Sequence, residues 1–233
     1  SFLDENRFKE FKKWIDNVNS KSILINTYEQ LIWNFDKHYL KDLEQKNINI
    51  PSSIFIKKGS SKSLKEVMSE NNWNCIVIKP TISGAARHTY KVDSKNVANI
   101  SKNFSELIKE EDFIVQEFQK NIINKGEVAV VLINGEYTHA ILKLAKKGDF
   151  RVQDDFGGTI QNYEPSLKMI QFAQESIKSL TPTPVYARVD IIWDNNDEMA
   201  VSELELIEPE LWFRNNPSAA EKIAKVLKEK VVI

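Results

Sequence analysis

The sequence predicts an α+β protein in two halves, and three observations carry that expectation. Helical and strand-like segments alternate through the first half. The second half is rich in strands. The strongest turn signal, Asn134-Gly135, joins two apolar runs as an antiparallel hairpin. With 233 residues, 42% of them apolar, the chain can bury a sizeable core in one domain or two small lobes.

The elements follow in order. Residues 4–18 are predicted as an amphipathic helix, because Phe8, Phe11, Ile15 and Val18 recur at helical spacing. Residues 22–25 read as a short strand and 36–46 as a second helix, followed by Pro51 and a strand at 54–56. A short helix is expected over 63–70. The apolar run 75–79 is a strand that Pro80, lacking an N–H, brings to an end. Thr81-Ile82-Ser83-Gly84-Ala85-Ala86 is a loop of small residues, and a helix over 95–107 and a strand over 113–118 come next. Residues 127–133 and 136–143 flank the Asn-Gly turn. The polar stretch 148–158, with two adjacent glycines, is expected to be a mobile loop. A helix over 166–180 runs to Pro182 and Pro184, and two strands surround Asp194-Asn195-Asn196-Asp197. The last helix, 218–230, is expected to be capped by Ser218 after Pro217.

Composition narrows the function classes. The chain carries 32 Lys and Arg against 33 Asp and Glu, so no basic field is available to hold a nucleic acid. The longest apolar runs are strand-sized, which speaks against a membrane span. The single cysteine, Cys75, excludes a disulfide framework, fits the reducing cytoplasm and reads as a small core residue within Cys75-Ile76-Val77-Ile78. No signal-peptide pattern is visible, and Ser1 is not a natural start, so the N-terminus is expected to be processed or truncated, or to lack its early residues. Walker-type phosphate loops, dinucleotide fingerprints, zinc-protease and Cys-x-x-Cys motifs and nucleophile elbows are all missing. His38, His88 and His139 are too scattered for a zinc site and read as surface or structural residues.

The chemistry concentrates in Tyr186-Ala187-Arg188-Val189-Asp190 and, after a turn, Val201-Ser202-Glu203-Leu204-Glu205. Side chains alternate between the faces of a strand, so Arg188 and Asp190 share one face, as do Glu203 and Glu205. If the strands pair antiparallel through an even-numbered loop centred on Asn196-Asp197, Asp190 lies opposite Glu203 and Arg188 opposite Glu205. Three neighbouring carboxylates repel one another. A hard cation such as Mg²⁺, which prefers oxygen ligands, removes the conflict. The alternative is an ordinary solvated hairpin face. Lys79, ending an apolar strand before a loop of small residues, can meet a phosphate as a point charge. Its alternative is a lysine that snorkels at a strand end.

In their order and spacing, Asp36-Lys37, Val77-Ile78-Lys79-Pro80, Val115-Gln116-Glu117-Phe118, Gly126-Glu127, Ala187-Arg188-Val189-Asp190 and Glu203-Leu204-Glu205 resemble the ATP-grasp superfamily. Glutathione synthetase and D-alanine–D-alanine ligase are familiar members. The resemblance covers roughly residues 34–209, and Gly148-Asp149-Phe150-Arg151-Val152-Gln153 with 203–209 is similar to a glutathione-synthetase-like branch that includes a cycloserine-forming ligase. It implies two lobes with largely antiparallel sheets that sandwich the nucleotide. The first lobe would span 35–112 and the second, metal-binding lobe 113–233, with 1–34 the remnant of a preceding domain. It further implies that Lys37 and Lys79, with Ser83 and Gly84 of the loop, contact ATP phosphates. Gln116, Glu117 and Phe118 would form an edge strand between the lobes that reads adenine, and Glu127 would hold the ribose. Asp190, Glu203 and Glu205 would bind two Mg²⁺ ions, with Mn²⁺ as a substitute. Arg188 would stabilise the transferred phosphoryl group, helped by Arg151 and Lys143. Two departures stand out: Glu205, where many members carry Asn, and a loop with only one glycine.

The implied activity is an ADP-forming ligase that activates a carboxylate as an acyl phosphate for attack by an amine or related nucleophile. Its partners would be small molecules, in a protein that a homo-oligomer would also suit. Two alternatives remain open at this level: a non-catalytic ATP-binding module acting with a partner, and a small-molecule kinase of related fold.

Overall fold

Alternation along Cys75–Pro80, where Ile76, Ile78 and Pro80 are buried, builds the centre of the first of two sheets. The computed structural model describes residues 5–84, 86–146, 148–152 and 157–231, and the chain forms two units. The first takes residues up to Ser22, Phe35–Tyr39 and Pro51–Phe118; the second takes Ile23–Asn34, Leu40–Ile50 and the chain from Gln119 onward.

In the first unit β1 (Ser53–Ile56), β4 (Phe113–Glu117), β2 (Cys75–Pro80) and β3 (Tyr90–Asp93) pair antiparallel in that spatial order. Ile76, Ile78, Val92, Phe113 and Val115 turn to one side and pack with α4 (Leu64–Glu70) and α5 (Val97–Leu107) through Leu64, Val67 and Phe104. The start of α4 is fixed by a capping box, in which Ser63 and Glu66 each bond the other's backbone N–H. In α1 (Glu5–Asn19), Phe8 and Phe11 meet Phe35 edge-on at 5.2 and 4.7 Å between ring centroids, a favoured arrangement of aromatic quadrupoles.

In the second unit the antiparallel order is β7 (Thr159–Tyr163), β6 (Glu136–Leu144), β5 (Glu127–Ile133), β8 (Tyr186–Trp193) and β9 (Met199–Glu205). β5 lies in the middle, and all seven of its residues are buried. Asn134 (φ 50°) and Gly135 (φ 78°) both take left-handed backbone, as the tight hairpin demands, and join Ile133 to Glu136. Helix α7 (Leu167–Ile177), capped by the Ser166 side chain, packs across β5, β6 and β8. The last helix, α8 (Pro217–Val231), packs on β5, its Val226 joining Ala129, Val131, Ile133, Ile141 and Trp212.

Several expectations are corrected. Residues 22–25 form no strand. Instead the amide of Asn26, 1% exposed, supplies bonds that a strand's backbone would have made, to Val185 N–H (2.6 Å) and to the carbonyls of Tyr186 (2.8 Å) and Leu206 (3.0 Å). The helix expected over 36–46 is broken: α2 (Tyr28–Phe35) precedes it and α3 (Tyr39–Gln45) is what remains. Between them the Asp36 carboxylate accepts from the His38 N–H (3.0 Å) while the Lys37 N–H reaches the Thr81 carbonyl (2.9 Å), so neither N–H is free to continue a helix. The boundary expected at 112/113 falls after Phe118, because β4 is an interior strand of the first sheet rather than an edge. Residues 23–34 and 40–50 likewise belong to the second unit. The short elements β3, β7 and α6 (Ile122–Lys125) had no sequence signal, α8 starts on Pro217 itself, and Cys75 is only partly buried.

Two predictions arise from the scaffold. Gly126 has φ 71°, and a Cβ there would sit 2.3 Å from the Lys143 carbonyl. Gly126→Ala should therefore lower stability by about 2 kcal/mol or more, through close contact and a left-handed backbone. An unchanged melting temperature would refute this. His139, 9% exposed, donates from Nε2 to the Leu211 carbonyl (2.8 Å), and burial lowers its pKa below the ordinary imidazole value. A depressed histidine favours the folded protein above the unfolded pKa of about 6.5 and loses that contribution as pH falls through the folded value. Melting temperature should fall from pH 7 to 5 more steeply in the wild type than in His139→Asn.

Candidate active site

The carboxylates that the sequence singled out come together in the second unit. Single oxygens of Asp190, Glu203 and Glu205 lie within 4.8 Å of one another. Asp190 is opposite Glu203 and Arg188 opposite Glu205, as the pattern required. The route to that register differs from the expected one. Trp193 pairs with Met199 and Ile191 with Val201, so the turn centres on Asn196 and spans an odd number of residues. Continued regularly, that register would set Ser202 against Asp190 and turn Glu203 and Glu205 to the opposite face. A bulge at Ser202 restores the pairing. The Ser202 hydroxyl lies 2.6 Å from Glu127 Oε2 and 3.0 Å from the Asp190 carbonyl.

Two cations sit among these acids. Arg188 spans Asp190 with Nε to Oδ1 and Nη2 to Oδ2, both at 2.9 Å, and also contacts Glu205. Lys143 reaches Asp190 Oδ2 at 2.8 Å and Glu127 Oε1 at 2.5 Å. Burial by itself would raise the pKa of Asp190, but Arg188 and Lys143 hold it below the ordinary carboxylate value. Burial pushes Glu205 up to about 7 in spite of Arg188, with the charges of Glu203 and Asp190 adding to the rise. Glu127, Asp190, Glu203 and Glu205 thus gather four carboxyl groups about Lys143 and Arg188. An all-oxygen donor set of this kind fits a divalent hard cation.

Trp212 was missed from the sequence. Its ring lies 5.2 Å from the Arg188 guanidinium carbon and 6.0 Å from Lys143 Nζ, so it offers both cations a π face. Trp212 is 5% exposed and held at φ 42°, a costly conformation for a bulky residue. An aromatic pair in the polar tail Glu210-Leu211-Trp212-Phe213-Arg214 was the available signal.

The other expected residues divide between the units. In the first, Lys37, 6% exposed, donates to the Ser83 carbonyl (2.7 Å), which ties it to the small-residue loop beside Gly84; Ala85 of that loop lies outside the described residues. Strand register places Lys79, Gln116 and Phe118 on the face of the first sheet opposite its helices, whereas Glu117 points the other way. The Glu117 and Phe118 N–H groups are bonded to the Ser52 (3.0 Å) and Cys75 (2.9 Å) carbonyls. Lys91, on the unanticipated β3, shares that face and lies 3.9 Å over the Phe118 ring. In the second unit Glu127 belongs to the acid cluster, while Arg151 is tied to Asp149 with Nη2 to Oδ2 at 2.7 Å and holds that carboxyl far below its usual range. Gln153 lies outside the described residues.

Two antiparallel sheets with helices, one of them gathering an oxygen-only set of carboxylates, match the frame of the ATP-grasp ligases, ATP-dependent and ADP-forming enzymes that use ATP with a divalent metal. Residues 46–203 match the ATP-grasp domain of prokaryotic glutathione synthetase, and the chain belongs to that family. It is 22% identical to the cycloserine biosynthesis protein DcsG of Streptomyces lavendulae, over 97% of this chain and 79% of that one. The crystal structure of the D-cycloserine synthetase DcsG superposes with a TM-score of 0.87, covering 97% of this chain and 80% of that one at 22% identity. D-alanine–D-alanine ligase from Bacillus anthracis superposes at 0.62, with 18% identity over 84% and 69% of the two chains. The macrocyclase MdnC from Microcystis aeruginosa MRC, bound with its precursor peptide MdnA, superposes at 0.66, with 16% identity over 97% and 72%. Among the described residues, no helix is long and apolar enough to cross a membrane.

Proposed function

We propose that this ligase transfers the γ-phosphoryl group of ATP to a small-molecule carboxylate and passes the resulting acyl group to an amine or related nucleophile. One observation carries the reading: Asp190, Glu203 and Glu205 converge on one sheet face around Arg188. A free carboxylate resists substitution because its leaving group would be oxide. Once a carboxylate oxygen bonds to the γ-phosphorus and the bridging P–O bond to ADP breaks, the acyl carbon carries phosphate as a leaving group. The nucleophile then bonds to that carbon, the C–O bond to phosphate breaks, and the nucleophile's proton is lost to base or water. Catalysis of the first step is positioning and charge neutralisation.

In this reading Lys37 and Lys79, with Ser83 and Gly84, meet the nucleotide phosphates. Gln116, Glu117 and Phe118 serve adenine and Glu127 the ribose. Arg188, aided by Lys143 and Arg151, meets charge on the moving phosphoryl group. Asp190, Glu203 and Glu205 would hold Mg²⁺, two ions in the full complex, with Mn²⁺ as a substitute, and the metal would supply charge neutralisation at the phosphate oxygens. The higher superposition with a cycloserine synthetase than with a peptide macrocyclase favours a small acceptor over a peptide. The balanced charge and single cysteine favour the cytoplasm and no nucleic-acid partner, and a homo-oligomer suits the reading as well as a monomer.

The test is ADP release with ATP, Mg²⁺ and a panel of amino-acid carboxylates, with hydroxylamine present to trap acyl phosphate as a hydroxamate. Hydroxamate that depends on both ATP and a carboxylate supports the ligase. A stable phosphorylated product would make the protein a kinase instead. ATP binding without ADP release across the panel would make it a binding module.

A further inference from the structure

Among the described residues β9 is the outermost strand of the second sheet, and no neighbouring strand pairs with the N–H and C=O groups on its outer side. Two asparagines take their place. At the start of β9, the backbone carbonyl of Asn49 accepts from the Val201 N–H (2.8 Å), and its side-chain amide donates to the Met199 carbonyl (3.0 Å). At the other end the side-chain amide of Asn34, 7% exposed, donates to the Leu204 carbonyl (2.7 Å) and accepts from the Leu206 N–H (2.8 Å). These two bonds fall on either side of Glu205, the last residue of β9.

The terminal residue of an edge strand is where fraying begins. An amide that pairs with the residues before and after it supplies the ladder contacts that a sixth strand would have made. The main chain at Glu205 is thereby fixed, and the direction of its side chain with it. We infer that Asn34 is a positioning residue for the cation site: it holds Glu205 on the face of Asp190 and Glu203 without touching the ion. The inference rests on the metal-binding role proposed above.

The experiment titrates Mn²⁺ alone into the full chain and counts the free ion by its EPR signal, with melting temperature recorded for each variant. Loss of a group that orients a ligand commonly weakens metal binding by 10–100-fold, so Asn34→Ala is expected to bind Mn²⁺ about tenfold or more weakly. Asn34→Ser, which keeps a hydroxyl at the edge and admits water, should weaken in the same direction and serves if the alanine variant does not fold. Asn49→Ala removes the side-chain bond to Met199 at the same edge, away from Glu205, keeps the backbone bond to Val201, and should leave Mn²⁺ affinity unchanged. If both Asn34 variants bind Mn²⁺ like the wild type, or if Asn49→Ala weakens binding equally, the positioning role is overturned. Asp190→Asn separates this from the site itself: wild-type Mn²⁺ affinity in that variant would overturn the metal reading, whatever Asn34 does.

Discussion

Asp190→Asn is expected to abolish Mg²⁺-dependent binding of a non-hydrolysable ATP analogue and to cost the fold about 3 kcal/mol or more, since breaking a buried charge network strands its partners. Asp190 is 1% exposed and accepts from both Arg188 and Lys143. Asparagine keeps the shape but presents an NH₂ where one of those cations now finds an oxygen. It also removes one of the carboxylates that make the site suit a divalent ion. Calorimetric titration with and without Mg²⁺ reads the first effect and urea denaturation the second. Analogue binding that stays Mg²⁺-dependent at wild-type affinity would remove Asp190 from the metal site.

Arg188→Lys should lower kcat by about 10²- to 10³-fold with a much smaller change in KM, the pattern of an interaction made chiefly in the transition state. The guanidinium engages Asp190 through two nitrogens, contacts Glu205 and faces Trp212 at 5.2 Å. A lysine carries the same charge as a single ammonium and cannot reproduce that fork. The substitution therefore separates charge from geometry. A loss of less than tenfold in ADP release would mean that any cation suffices at this position.

Legibility of the fold followed locality. The Asn134-Gly135 hairpin, the Ser63–Glu66 capping box helix and the apolar run at Cys75–Pro80 were visible because neighbouring residues settle each of them. The acid cluster was visible for the same reason: strand alternation put Arg188 with Asp190 and Glu203 with Glu205 before any pairing was known. The pairing itself came out as expected through a compensation that the sequence concealed, an odd turn offset by the bulge at Ser202. The false strand at 22–25 and the late start of the helix expected over 36–46 share a cause. Asn26 and Lys37 are held by residues more than forty positions away, Val185 and Thr81, and those contacts override local preference.

The amino-acid sequence by itself therefore determined the fold class, the family and the face that gathers Asp190, Glu203 and Glu205, because periodicity and the order of charged motifs are properties of a line. Tertiary structure alone decided which acids Arg188 and Lys143 neutralise, that Trp212 backs them, and that Asn34 closes the edge of β9. Those contacts join residues distant in the chain, and only the packing of the folded backbone brings them within hydrogen-bonding or van der Waals reach.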